Sequence, residues 1–235
     1  MTELFLSRIR LRRDAPAHAL ARLLVPDDAA ARTAASHHLV WSLFADSPDR
    51  RRDFLWREER PGQFMALSSR PPEDAHGLFD LDFKPFAPLL EPGDILGFSL
   101  RANPVISRQM EHGKRGQRHD VVMDALRQAT GADRATERPG VIASAGVAWL
   151  HRQGETHGFT PADNIGVDGY ETVRIVREKS SAGKKPGPIR FGRLDITGML
   201  RVSDPPRFLA ALAAGFGKSR AFGCGLMLIR RAPPP

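Results

Sequence analysis

Cysteine occurs once in the 235 residues, at Cys224, so no internal disulfide can form and the chain reads as one that folds in a reducing compartment. No apolar run approaches the roughly 18 to 20 residues of a membrane span, and Met1 to Arg8 lacks the basic start and apolar stretch of a secretory leader. A cytoplasmic protein with no membrane partner is therefore expected. The eight histidines are scattered, with no HExxH pair and no Cys/His cluster, so neither a metal site nor a cofactor is expected. Aromatic residues are only 7% of the chain and the aromatic octapeptide of sheet-stacking RNA-binding domains is missing, which argues against base stacking on a sheet face. A nucleotide-binding P-loop is excluded as well: Gly217-Lys218-Ser219 ends like one, but Leu212 stands where its first glycine must be, and the loop closes a helix instead of opening one.

Positive charge is in surplus. Lys and Arg total 35 against 27 Asp and Glu, a formal net charge of +8, which attracts polyanions at long range. Arginine far outnumbers lysine and alanine is abundant, a bias that a GC-rich genome produces unaided, so composition does not by itself decide for nucleic acid.

Periodicity divides the chain into two similar halves. Leu4 to Leu11 alternates apolar and polar as a half-buried strand, Ala29 to Ala45 is helical, and Asp53 to Glu59 and Gln63 to Ser69 form a hairpin around Arg60-Pro61-Gly62. A Pro-rich stretch with a weak helix precedes a strand from Leu78 to Phe86. The second half repeats the order: a strand from Asp94 to Ala102, a helix from Gly140 to Arg152, strands from Glu171 to Arg177 and Ile189 to Val202, a helix capped by Asp204 with Pro205 behind it, and a strand from Phe222 to Ile229. Two successive β-α-β-β-α-β units make an α+β protein of two tandem ferredoxin-like, RRM-like domains, residues 1–90 and 91–235. Between 103 and 140 the pattern loosens, and Arg108, Lys114, Arg115 and Arg118 precede a short helix from Val121 to Ala129. This basic insertion is either a solvated loop or a phosphate-tracking segment.

At 100° per residue, Ala34, His37, Trp41 and Phe44 share one stripe of the first helix, which places His37 at the edge of the apolar face and His38 on a more polar one. A helical histidine is commonly structural, but a half-buried imidazole near basic surface titrates close to neutrality and suits acid-base work.

Four local runs follow one another in order: His37-x-x-x-Trp41-x-Leu43-Phe44 followed by Arg52-Asp53-Phe54-Leu55-Trp56; Leu100-Arg101-Ala102-Asn103-Pro104; the basic segment through Lys114 and Arg115; and Gly215-Phe216-Gly217-Lys218-Ser219 with Gly223-Cys224-Gly225-Leu226. Together they resemble the CRISPR-associated CasE family, the crRNA-processing endoribonuclease of the type I-E Cascade complex. The resemblance implies cleavage of a CRISPR repeat transcript beside its hairpin without a metal, by attack of a ribose 2′-hydroxyl on its own phosphate, and continued association with other Cascade subunits. It implies His37 as general base, with Lys218 or Arg220 stabilising charge. Arg101, Lys114, Arg115, Arg118, Lys218, Ser219 and Arg220 are implied RNA contacts, the C-terminal loop offering exposed backbone N–H groups to phosphates. Lys179, Lys184 and Lys185, in the basic turn between two long strands, would enter the deep groove of an RNA stem. Family members carry a tyrosine one turn before the histidine where this chain has Ala34, so the general acid is open between His38, Ser36 and solvent. Gly223 and Gly225 are placed in the last strand, where they are as readily structural as functional. The alternative function is a non-catalytic RNA-binding module of the same fold; a ferredoxin-like metabolic enzyme has no motif in its favour.

Overall fold

Alternation builds the first strand, β1 (Phe5–Leu11), in which Ser7 and Ile9 are fully buried while Arg8 and Arg10 face outward. It is central to a four-stranded antiparallel sheet with β2 (Phe54–Arg60), β3 (Gln63–Ser68) and β4 (Phe79–Pro85), in the order β2-β3-β1-β4. Register sets Ile9 opposite both Phe64 and Leu81, and brings Arg8 and Arg10 onto Asp82 of β4 at 2.9 and 3.1 Å. The computed structural model describes residues 3–12, 14, 25–45, 52–108, 117–128, 134–175 and 187–232.

Helix α1 (Ala29–Ser42) starts where the Asp28 carboxylate accepts the Ala31 N–H at 2.7 Å, an N-cap worth about 1 kcal/mol. Its Leu39 and Val40, with Leu43 and Phe44 just beyond, pack on Ile9, Phe54, Trp56, Phe64 and Phe79 of the sheet. Phe44 and Phe54 stack with ring centroids 4.4 Å apart, which fixes the C-terminal end of α1 against the start of β2. The weak helix expected before β4 does not form: residues 69–78 are irregular. Pro71 and Pro72 supply no N–H donors there, and tertiary partners take the segment instead, the Glu73 N–H going to the Leu43 carbonyl at 3.0 Å.

The second sheet is also antiparallel. It contains β5 (Ile95–Ala102), β8 (Phe159–Pro161), β9 (Gly166–Ile175), β10 (Ile189–Val202) and β11 (Met227–Arg231), in the order β11-β5-β10-β8 with β9 also paired to β10. A separate ribbon, β6 (Val105–Arg108) and β7 (Gln117–Asp120), leads into α2 (Val121–Gln128). Helix α3 (Arg134–His157) begins six residues before the Gly140 start read from the sequence, with Pro139 inside its N-terminal part. Helix α4 (Pro205–Ala214) is capped by Asp204, which accepts the Arg207 N–H. Leu100, Leu150, Leu194, Ile196, Phe208 and Phe159 are among the buried core of this half.

Each sheet thus carries its first and third main strands in the middle, the arrangement of a β-α-β-β-α-β unit, complete in the second and lacking the second helix in the first. The chain is α+β, with two ferredoxin-like sheets. Its compact units are Met1–Leu89 with Val173–Arg190 and Arg220–Leu226, and Leu90–Thr172 with Phe191–Ser219 and Met227–Pro235. The glycine-rich loop therefore contributes to both, residues through Ser219 to one and Arg220 onward to the other. No helix among the described residues is long and apolar enough to cross a membrane.

Candidate active site

In the first unit, α1 presents His37 half-buried and His38 exposed, as a 100° step between neighbours requires. The Nδ1 atom of His37 lies 2.8 Å from the Ala221 carbonyl oxygen. A carbonyl only accepts, so Nδ1 carries the proton and, in the neutral ring, Nε2 keeps a free lone pair. The same carbonyl accepts the indole N–H of Trp56, on β2, at 3.2 Å. Two donors from different elements thus meet on one acceptor and hold the tautomer of His37. Phe222 and Trp41 flank the imidazole, with centroids 5.4 and 6.0 Å away.

Ala221 is centred in a single 3₁₀ turn, Arg220–Phe222. Behind it Gly223 has φ +77°, and a Cβ there would meet the Trp56 ring at 3.3 to 3.4 Å. Gly223 and Gly225 (φ +95°) lie before the last strand, not in it as expected from the apolar run, because β11 begins only at Met227. Both take a positive φ, the backbone region that favours glycine.

Burial lowers the pKa of His37 below the ordinary imidazole value of 6.5; the bond to Ala221 opposes this, and the charges of His38 and Arg52 reinforce it. The ring is therefore neutral near pH 7, the form that accepts a proton. Arg220 and Arg52 are both partly buried, and burial lowers the pKa of each, that of Arg52 further through the like charge of Arg220. Ser36, a possible supporting residue by sequence, is 2% exposed and faces the interior.

In the second unit the two remaining motifs come together. Asn103 follows β5; its carbonyl accepts the Lys218 N–H at 3.1 Å and its amide donates to the Ser219 hydroxyl at 2.7 Å. Gly217 (φ +72°) lies so close that a Cβ would come within 2.5 Å of the Asn103 oxygen. Two N–H groups of this loop are engaged within the chain, those of Gly215 and Lys218 donating to the Ala211 and Asn103 carbonyls. The Lys218 side chain is exposed, and Ser219 adopts φ +53°.

Arg101 is joined to Asp195 by two bonds of 2.8 and 2.9 Å, so its charge is already met within the sheet. Arg118 is exposed on β7. Lys114, Arg115, Lys179, Lys184 and Lys185 lie outside the described residues. Among the described residues no three or more His, Cys, Asp or Glu are grouped to hold a metal ion. Sequence reasoning missed Arg52, Trp56 and Ala221 as site residues. The signal for Arg52 is its place at the head of the Arg52-Asp53-Phe54-Leu55-Trp56 run, whereas a backbone carbonyl as the anchor of His37 has no signature in one dimension.

A family model described as CRISPR associated protein matches residues 4–231. The chain belongs to that family. The CRISPR-associated endoribonuclease Cse3 of Thermus thermophilus is 34% identical over 153 residues, 62% of this chain and 60% of that relative. The CRISPR system Cascade subunit CasE of Escherichia coli is 26% identical over 199 residues, 81% of this chain and 88% of the relative. Thermus thermophilus Cse3, solved with an RNA representing a pre-cleavage complex, superposes with a TM-score of 0.65 at 23% identity, covering 98% of this chain and 100% of that one. That likeness establishes a shared fold. The stretch matched in the Thermus relative falls short of two thirds of its length.

Proposed function

We propose that this chain is a metal-independent endoribonuclease that cuts CRISPR repeat RNA beside its hairpin, releases mature crRNA ends in the cytoplasm and stays bound as a subunit of Cascade. The carrying observation is the single tautomer of His37: Nδ1–H committed to the Ala221 carbonyl, Nε2 left as a base in a ring that burial keeps neutral. Two relatives, named as a CRISPR-associated endoribonuclease and as a Cascade subunit, support the substrate class and the partners.

The reaction places its nucleophile on the substrate. The 2′-hydroxyl 5′ to the cut attacks the adjacent phosphorus, and its effective concentration is high because both groups share one ribose. Nε2 of His37 takes the hydroxyl proton as the 2′-O–P bond forms. The P–O5′ bond breaks, leaving a 2′,3′-cyclic phosphate and a 5′-hydroxyl, and the departing oxygen takes a proton from the exposed His38 or from solvent. Ala34 has no polar atom for this step. The partly buried Arg220 beside Ala221 meets the extra negative charge of the phosphorane. Lys218 and Arg118, both exposed, serve as phosphate contacts, and Lys179, Lys184 and Lys185 recognise the stem.

The test is a labelled repeat hairpin incubated with the protein in EDTA, alongside a substrate with a 2′-deoxy sugar at the nucleotide before the cut. Cleavage at one bond of the all-ribose RNA, none of the deoxy substrate, and a cyclic phosphate end are expected. Binding without cleavage would leave a non-catalytic RNA-binding protein of the same fold.

A further inference from the structure

Arg52 has the surroundings of an incomplete ion pair. It stands two residues before β2, next to Asp53, yet that carboxylate is turned to the connection after β3. Arg70 Nε donates to Asp53 at 2.9 Å, the Ser69 hydroxyl at 3.2 Å, and the Ser69 N–H reaches the Asp53 carbonyl at 3.2 Å. Arg70 also donates to the Phe44 carbonyl and lies over the Phe44 ring, with its guanidinium carbon 5.7 Å from the centroid. These bonds pin the chain at Asp53, and among the described residues they leave Arg52 beside the Arg220 guanidinium and close enough to His37 to lower its pKa, on the side of β2 where Trp56 bonds the Ala221 carbonyl.

Arg220 arrives from the opposite direction, on the 3₁₀ turn whose Ala221 carbonyl holds both His37 and Trp56. Its Nε is buried and has no hydrogen-bond partner. A buried guanidinium N–H without an acceptor is destabilising, and a second guanidinium close by adds repulsion. Such a pair is stable in the folded chain only at a cost, which a shared anion removes.

We propose that Arg52 and Arg220 form a seat for one phosphate group with His37 at its edge, and that Arg52 is a catalytic residue contacting the phosphate at the cut. The proposal rests on the endoribonuclease reading above for the identity of the anion. Guanidinium forks match the non-bridging oxygens of a phosphate, each fork offering paired N–H donors. When the 2′-O–P bond forms, charge on those oxygens rises before the P–O5′ bond releases it, so two fixed forks bind the phosphorane more tightly than the starting diester. The charge of Arg52 also adds to burial in keeping the neighbouring imidazole deprotonated until the hydroxyl proton reaches it, coupling the seat to the base.

The experiment uses the full chain with labelled histidine rings, titrated with inorganic phosphate while the His37 ring signals are followed by NMR, and single-turnover cleavage of the repeat hairpin in parallel. Phosphate is expected to shift the His37 signals saturably. Arg52→Gln should weaken that binding by about tenfold or more and slow cleavage by about 10²-fold, with RNA affinity nearly unchanged; Arg52→Lys should recover part of both. Arg220→Gln is the matching half of the seat and should behave like Arg52→Gln, so a folding failure in either variant leaves the other to decide. Phosphate that leaves His37 unmoved, with Arg52→Gln cutting RNA at the parent rate, overturns the seat and leaves the nuclease reading standing. Phosphate binding that depends on both arginines, in a chain that cuts no repeat RNA, keeps the seat and overturns the nuclease reading instead.

Discussion

Replacing Gly217 with alanine isolates how much the close approach of the glycine-rich loop to Asn103 matters. The residue has φ +72°, and an added Cβ would sit 2.5 Å from the Asn103 carbonyl oxygen, about an ångström inside ordinary contact. Left-handed backbone alone costs an alanine about 1 to 2 kcal/mol. The clash adds to this, because relieving it pulls the loop off an oxygen that accepts the Lys218 N–H at 3.1 Å, on a residue only 5% exposed. Losing that bond with the acceptor still buried costs about 1 to 3 kcal/mol more, for a total of about 2 to 5 kcal/mol. The control is Gly169→Ala, with φ +64° and nothing within 4 Å of the new Cβ, where only the backbone share of about 1 to 2 kcal/mol applies. Denaturant unfolding of both variants, compared at equal m-value, measures the difference. Equal losses in the two would refute the argument that Asn103 and the loop form one backbone-to-backbone contact.

Cleavage rate should rise with pH and level off, with the midpoint of the rise below the ordinary imidazole value, since burial and neighbouring charge lower the pKa of His37 and only the neutral ring accepts a proton. His38→Ala removes a neighbour that lowers the pKa of His37 and should move that midpoint up; a midpoint moving down would reverse the sign of the electrostatic argument. The same depression means that His37's share of stability is complete above the unfolded-state value and is lost as pH falls through the folded one. Trp56→Phe removes one of two donors to the Ala221 carbonyl, so stability should fall by about 1 kcal/mol and cleavage by less than in His37→Ala; chemical denaturation and single-turnover rates check both. Replacing Lys179, Lys184 and Lys185 together with alanine should weaken a stem-loop repeat by more than tenfold, about 1.4 kcal/mol, while an unpaired RNA of the same length loses little; equal losses would reduce the lysines to general attraction.

Local signals carried the elements whose ends are set locally. Pro61-Gly62 between two apolar runs marked the β2–β3 hairpin, and Asp204 before two prolines marked the start of α4, because turn and cap chemistry reside in adjacent residues. Errors arose where distant partners decide. The stretch after β3 is tied down by Arg70 and Glu73 bonding to Asp53, Phe44 and Leu43, none of which is near in sequence. The apolar neighbours of Phe222 predict a strand there, yet it closes a 3₁₀ turn that packs against His37. For the site, helix phase placed His37 at the edge of the buried face, but not what it bonds: Ala221 is 184 residues away, and its role rests on a carbonyl that every residue possesses. The arginine pair was hidden for the same reason, since Arg52 and Arg220 become neighbours only when the 3₁₀ turn folds onto the start of β2.

The most direct test of the account is single-turnover cleavage of the labelled repeat hairpin in EDTA by His37→Ala beside the parent chain, with RNA affinity measured on the same preparations. The account predicts a rate lower by about 10² to 10⁴ at nearly unchanged affinity, and a milder loss for His38→Ala. Cleavage by His37→Ala at the parent rate, or a larger loss in His38→Ala, would contradict it.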